Sequence, residues 1–287
     1  MQFKKFSGRA ASFNFVEGEK VHSQDGLVFV DKIGLDLATH DSSHPANRTV
    51  EEVLLFLSLC HSIVIDKRSG KMNSASPDEL ALVEGASAQG FQFRGKDGSE
   101  RITIERKRDG TLLKFALLNT LEFNSTRKRM SVIVRDLQTN EILLLCKGAD
   151  SVIKQRLDLT VKPEDAAFLA RTQQYVDLYA EEGLRTLLLA KKPVSPQVYE
   201  EWNKKYVAAS TAVINKEETM EAVQSEIEQE LLLVGSTAIE DRLQENVKET
   251  IEAFKEAGVK VWVLTGDKVE TAINIGFSCG LLNKEMV

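Results

Sequence analysis

The sequence predicts an α+β body, an antiparallel sheet flanked by helices, followed by an α/β tail. Three observations predict it. Apolar and polar residues alternate from Ser99 to about Cys146; helical periodicity governs stretches on both sides of that region; and from Leu231 the pattern reads strand, helix, strand, loop, helix.

In chain order, Val50 to Ile65 and Pro77 to Ala88 are the first helical stretches. The alternating region follows. Ile102 and Ile104 stand between charged neighbours, Asp109-Gly110 makes a turn, and Leu113, Phe115 and Leu117 alternate again. Val132 and Val134 then lead through Gln138-Thr139-Asn140 to Ile142, Leu144 and Cys146. Period two broken by turn residues predicts hairpin-linked antiparallel strands. Pro163 to Glu182 is a further helix, with Leu169, Val176 and Tyr179 on one face, and the acidic stretch from Lys216 to Glu230 reads as a solvated helix or a loop insertion without assigned chemistry. Leu231 to Val234 is an apolar run of strand length. Asp241 to Ala257 reads as an amphipathic helix carrying Leu243, Val247, Ile251 and Phe254, ended by Gly258. Val259 to Leu264 is the next apolar run, Thr265-Gly266-Asp267 the loop, and a last helix runs to about Cys279; this is a βαβ pattern.

Composition bounds what such a chain can be. The 287 residues carry 37 Lys+Arg against 43 Asp+Glu, a formal charge of −6, and 43% are hydrophobic, which describes a folded, mildly acidic protein and excludes disorder for most of its length. The acidic excess argues against a general nucleic-acid binder. Leu54 to Ile65, interrupted by Ser58, His61 and Ser62, falls short of the roughly 18 residues that span a bilayer. Met1 to Phe6 lacks a signal-peptide core, and Cys60, Cys146 and Cys279 lie too far apart for metal-ligand or disulfide patterns, so a reducing, cytosolic setting is expected.

Several short motifs carry candidate chemistry. Ser76-Pro77-Asp78-Glu79 is a capping box, or else places Glu79 where it accepts from an exocyclic amine such as that of adenine. Phe123, followed by Arg127-Lys128-Arg129 between two apolar strands, suits a base stacked on the ring with a cation on the phosphates; a polar hairpin loop is the alternative. Lys147-Gly148-Ala149-Asp150 ends a strand, where Lys147 reaches a ligand or simply solvent, and Arg185 opens an apolar strand as a phosphate ligand or a rim cation. Thr265-Gly266-Asp267-Lys268 lies between a buried strand and a helix, where α/β sheets bind phosphates, although Asp267 also suits an N-cap. Asp241 caps its helix or lines a hinge between domains, and His61 reads as a satisfied buried histidine.

In this order the motifs closely resemble the cytoplasmic loop of type-IV P-type ATPases, the phospholipid flippases: Ser-Pro-Asp-Glu at 76–79, Leu-Glu-Phe with Arg-Lys-Arg-Met at 121–130, Lys-Gly-Ala-Asp at 147–150, Leu-Arg-Thr at 184–186, Ile-Glu-Asp-Arg-Leu-Gln at 239–244 and Leu-Thr-Gly-Asp-Lys at 264–268. The resemblance covers nearly the whole chain. It implies that Glu79, Phe123, Lys128 and Lys147 form an ATP pocket with Phe123 stacked on adenine, that Arg185 approaches the phosphates, that Thr265, Gly266 and Asp267 meet the transferred phosphate, and that Asp241 lies at the hinge.

It also implies a division into a segment 1–25, a nucleotide-binding domain 26–230 and a partial haloacid-dehalogenase-like (Rossmann-like) phosphorylation domain 231–287. The family's phosphorylated aspartate lies in Asp-Lys-Thr-Gly-Thr, which is absent; Asp31-Lys32-Ile33-Gly34-Leu35 lacks both threonines. The later Gly-Asp-Gly-x-Asn-Asp magnesium motif is absent too. The chain is therefore expected to be the ATP-binding piece of a flippase on the cytosolic face of a membrane, binding ATP without turning it over, with ATP and Mg2+ as cofactors, phospholipid reached only through a missing membrane domain, and an accessory membrane subunit in the parent. A non-catalytic nucleotide-binding or interaction module is the alternative.

Overall fold

Residues that alternate along the sequence become cross-strand neighbours in one long sheet. The computed structural model describes residues 1–16, 22–24, 26–66, 68–158, 163–212, 214–241, 243–265 and 269–283. Strands β1 (Gln2–Ser7), β2 (Ser12–Asn14), β3 (His22–Gln24) and β4 (Leu27–Val30) precede helices α1 (Lys32–His40) and α2 (Asn47–Leu59). A small hairpin, β5 (Val64–Ile65) and β6 (Met72–Asn73), leads to α3 (Pro77–Ala88). The meander β7 (Phe91–Lys96), β8 (Arg101–Arg106), β9 (Thr111–Leu121), β10 (Arg129–Asp136) and β11 (Ile142–Gly148) follows. Then come α4 (Asp150–Lys154), α5 (Pro163–Glu181), β12 (Arg185–Val194), α6 (Pro196–Ser210), α7 (Lys216–Ile227), β13 (Leu232–Glu240), α8 (Val247–Glu256) and α9 (Val269–Ser278).

The large sheet runs β3-β4-β2-β1-β13-β12-β11-β10-β9-β8-β7, and every neighbouring pair is antiparallel except β2 with β4. Pleating sends alternate side chains to opposite faces. Val132, Val134 and Leu145 therefore join the core beneath α1, α2 and α3, while Ile133, Leu144 and Cys146 join the core beneath α5, α6 and α7. The result is a mixed sheet with helices on both faces, as the alternating region and its helical flanks predict.

Boundaries differ where side-chain capping or pairing decides them. The first long helix covers Asn47–Leu59, not Val50 to Ile65, because the backbone turns at Cys60 and Val64–Ile65 pairs with Met72–Asn73. Asp31 accepts from the backbone N–H of Gly34 at 2.8 Å and caps α1, which accounts for the Asp-Lys-Ile-Gly string as a helix start.

The described residues of the tail do not form the βαβ pattern read from the sequence. The run beginning at Leu231 becomes β13, whose two edges pair antiparallel with β1 and β12, so no edge remains for a parallel neighbour. Val259 to Leu264 forms no strand among the described residues, and Trp262 and Leu264 are 87% and 99% exposed. A strand exists only through its ladder, and an apolar run without a partner strand stays irregular. The helix expected from Asp241 begins at Val247, with Asn246 in the left-handed region as its cap residue; Asp241 itself is exposed and caps nothing.

The pairing of β1 with β13 leaves no room at Gly235. A Cβ there would lie 1.9 Å from the carbonyl oxygen of Ser7, a backbone atom that cannot swing aside. Gly235→Ala is expected to destabilise the fold by about 3 kcal/mol through overpacking, read as a lowered urea midpoint. Gly98→Ala, with open space around the new methyl, should leave the midpoint near that of the parent.

Candidate functional site

The site begins where α2 stops. Beyond Cys60 the chain turns tightly, and His61 supports the turn with both ring nitrogens: Nδ1 accepts from the Ile63 N–H at 3.1 Å, and Nε2 donates to the Ser58 carbonyl at 2.9 Å. This needs the neutral ring. Burial, with the nearby Lys147 charge, pushes the His61 pKa down from 6.5 to about 4, so the histidine is the satisfied buried one expected.

Ser62 then presents its backbone N–H and hydroxyl to Glu79 Oε2 at 3.0 and 2.8 Å, with the Ser74 hydroxyl donating to the same oxygen at 3.4 Å. Glu79 Oε1 faces the Lys147 ammonium at 3.1 Å, and that ammonium donates to the Cys60 carbonyl at 2.7 Å. Only 7% of Glu79 and 6% of Lys147 is exposed. Burial by itself would raise the Glu79 carboxyl, but the Lys147 charge and the two Ser62 hydrogen bonds outweigh it and hold the carboxyl below its usual range. Ser76 still caps α3 through the Glu79 N–H, at 3.4 Å, but the reciprocal arm of the capping box is missing. Glu79 turns its carboxylate inward instead. Burial pushes the adjacent Cys60 thiol up to about 12, which makes it a packing group and not a nucleophile.

A pocket of about 170 Å³ opens beside this pair, lined by His61, Ser62, Phe93, Lys96, Thr120 and Glu122 among others. Its far wall is the end of β9, where the chain enters the loop that carries Phe123 and Lys128. Phe123 is 63% exposed, a large ring offered to solvent, and Lys128 points outward from a left-handed backbone with φ +50°. Arg127 and Arg129, which look equivalent to Lys128 in the sequence, are buried. Both meet Glu228, a wholly buried carboxylate just beyond α7. Nothing in the sequence singles out Glu228 within its acidic stretch, and because Arg127 and Lys128 lie in the turn before β10, strand alternation does not separate the three cations.

Arg185 sits at the start of β12 and pairs with Asp78, the neighbour of Glu79, at 3.1 Å. Three elements, α3, β11 and β12, thus bring Glu79, Lys147 and Arg185 together around the start of α3, and the Ala149 N–H donates to the Lys128 carbonyl at 3.1 Å, joining the turn after β11 to the Phe123 loop. Thr265 lines a separate apolar cleft of about 520 Å³ with Trp262 and Val269. Gly266, Asp267 and Lys268 lie outside the described residues. Among the described residues no three His, Cys, Asp or Glu side chains group as metal ligands, and no helix is long and apolar enough to cross a membrane.

Residues 49–246 match the family model described as P-type ATPase, cytoplasmic domain N. The chain is 47% identical over 281 residues to phospholipid-transporting ATPase DNF1 of Saccharomyces cerevisiae, covering 94% of this chain and 18% of that protein. It is 44% identical over 250 residues to phospholipid-transporting ATPase DRS2 of the same yeast, covering 86% of this chain and 18% of that one. Against phospholipid-transporting ATPase IC of Homo sapiens the identity is 46% over 238 residues, covering 82% and 18%. The chain thus spans less than a fifth of the length of these relatives.

The neutral, buried His61 predicts a specific pH dependence. Its folded pKa is depressed, so its contribution is complete above the unfolded value of 6.5 and is lost as pH falls towards about 4, by as much as about 3 kcal/mol. Glu79, also depressed, loses its share only below its unfolded value of 4.5. Urea midpoints measured from pH 7 to pH 4.5 should fall for the parent chain and run flatter for His61→Gln; parallel curves for the two proteins would refute this assignment.

Proposed function

The chain belongs to the P-type ATPases, in their phospholipid-transporting branch, and from that premise we propose that it binds ATP beside the Glu79–Lys147 pair. The observation that carries the reading is the pocket between Ser62 and Glu122: Ser62, on one wall, bonds the carboxylate of the buried Glu79–Lys147 pair, and Glu122, on the other, directly precedes the exposed ring of Phe123. A purine requires an aromatic face, a polar edge and enough depth to exclude water. Phe123 supplies the face. Ser62, Thr120 and Glu122 supply polar edges, and Lys128 is exposed on the loop that carries Phe123, where it would meet phosphate oxygens.

Glu79 and Lys147 act in this reading as a rigid support behind Ser62, since their charged atoms already meet each other and the backbone. Arg185 approaches the phosphates by exchanging its Asp78 partner for them. Thr265, Gly266 and Asp267 would meet the transferred phosphoryl group, and Asp241, exposed just after β13, would serve as the hinge residue. The corresponding division is a leading segment 1–25, a nucleotide-binding domain 26–230, and part of a haloacid-dehalogenase-like phosphorylation domain from 231 to 287. Mg2+ would arrive with the triphosphate and neutralise its charge.

In the parent enzyme, an aspartate oxygen would attack the γ-phosphorus and release ADP, and the aspartyl phosphate would drive a phospholipid from one leaflet to the other. That enzyme would hold these residues on the cytosolic face of its membrane, with an accessory membrane subunit beside its spanning part. The Asp-Lys-Thr-Gly-Thr string that carries the nucleophile is not in this sequence, so these residues contribute binding and orientation rather than turnover. Phe123→Ala should weaken ATP binding about tenfold or more, the scale of one lost base–aromatic stack. Isothermal titration giving equal affinities for the two proteins would remove the pocket assignment.

A further inference from the structure

We propose that Glu228 is a positioning residue for the nucleotide loop, acting through Arg127 and Arg129. The inference rests on the ATP-pocket reading above and adds to it a residue 105 positions from Phe123 that touches no ligand.

Glu228 arrives from the end of α7, where the helix stops at Ile227 and the carboxylate turns into the sheet. Its Oε1 accepts from Arg127 Nη2 and from the Ser131 hydroxyl, each at 2.5 Å, and its Oε2 accepts from Arg129 Nε at 2.7 Å. The same two guanidinium groups reach back to the loop. Arg127 Nη1 donates to the Glu122 carbonyl at 2.7 Å, and Arg129 Nη1 donates to the Arg127 carbonyl at 3.1 Å. Those carbonyls bracket residues 123–126, which include Phe123, and Lys128 follows directly after the second. Within the loop, Asn124 accepts from the Arg127 N–H through its side chain and from the Lys128 N–H through its backbone, at 2.6 and 2.9 Å.

One wholly buried carboxylate therefore holds two buried cations, and each cation holds one end of the loop. Guanidinium is planar with donors in fixed directions, so fixing one edge on Glu228 fixes where the other edge finds its carbonyl. Lys128, between the two buried arginines, is forced outward, and Phe123, just after the anchored Glu122 carbonyl, is held exposed. A flexible loop would pay ordering entropy each time a base stacked on Phe123; a loop anchored in advance does not.

Glu228→Gln keeps the shape and removes the charge that both arginines need. In this chain the amides of residues 124–128 should then exchange with deuterium about tenfold faster or more, with strands β8 and β9 unchanged. ATP affinity should fall about tenfold in the parent background but no more than about twofold when Phe123→Ala is already present, because the two changes remove one interaction. Unchanged exchange at 124–128 in a folded Glu228→Gln protein, or an equal affinity loss in both backgrounds, overturns the proposal. If Phe123→Ala alone binds ATP like the parent, the pocket reading fails, and the exchange experiment still decides the role of Glu228. Should Glu228→Gln not fold, Arg127→Lys keeps a cation beside Glu228 without the second arm to the Glu122 carbonyl, and the same outcomes apply to it.

Discussion

A lysine that is almost fully buried constrains this molecule more than any apolar contact. Stripped of water, the Lys147 ammonium would cost several kcal/mol unless a charge and hydrogen-bond acceptors met it. Glu79 and the Cys60 carbonyl meet it, and each comes from a different element: the first turn of α3, the end of α2 and the last residues of β11. The termini of two helices and a strand are thus held at one point, and the pocket beside that point has its shape set by a polar requirement as well as by packing. His61 belongs to the same arrangement. A protonated imidazole there would lose its acceptor nitrogen and add a second cation near Lys147, so the turn and the neutral ring require each other.

The opposite face of the sheet repeats the solution with the signs reversed. There the lone carboxylate, Glu228, serves two arginines, whereas around Lys147 the lone cation serves one carboxylate and a carbonyl. The strand register explains why the two clusters lie back to back. Met130 stands opposite Lys147 and Arg129 opposite Gly148, so consecutive residues of β10 and β11 send one buried charge to each face. Neither cluster is an efficient source of stability, since well-packed apolar groups could do as well or better; what the charges supply is a unique geometry, because each acceptor has a single place for its donor.

Much of the fold was legible because alternation and helical period follow burial directly. The meander from Arg101 to Gly148, the α3 cap at Ser76 and the buried neutral His61 all follow from local patterns. The tail was not, because a strand reading assumes a free edge, and β1, brought from the other end of the chain, fills the edge of β13 that a parallel partner would need. In the site, residue types pointed to Phe123, Lys128, Lys147 and Glu79, and the geometry groups the last two directly. What local pattern could not reveal is that Glu79 has left its capping role, or that Glu228 is buried while the other acidic residues of its stretch are not. Both depend on partners 68 and about 100 residues away, and no window of sequence contains both members of either pair.

Gly148 shows how such long-range demands come back to a single position. A glycine after Lys147 reads naturally as room for a ligand, yet a Cβ there would lie 2.6 Å from the Arg129 Cβ and 2.7 Å from the Lys128 carbonyl oxygen. The space is used by the chain itself. Because β10 can approach so closely at that point, the Lys128 carbonyl receives the Ala149 N–H, and the turn after β11 lies against the loop after β9. Lys147 faces one core, Arg129 the other, and Lys128 solvent, all within one hydrogen-bonded step of the ladder. Any side chain at 148 would push these strands apart and disturb the anchoring on both faces together. The Lys-Gly-Ala sequence is therefore a condition for bringing the turn after β11 against the loop that carries Phe123 and Lys128.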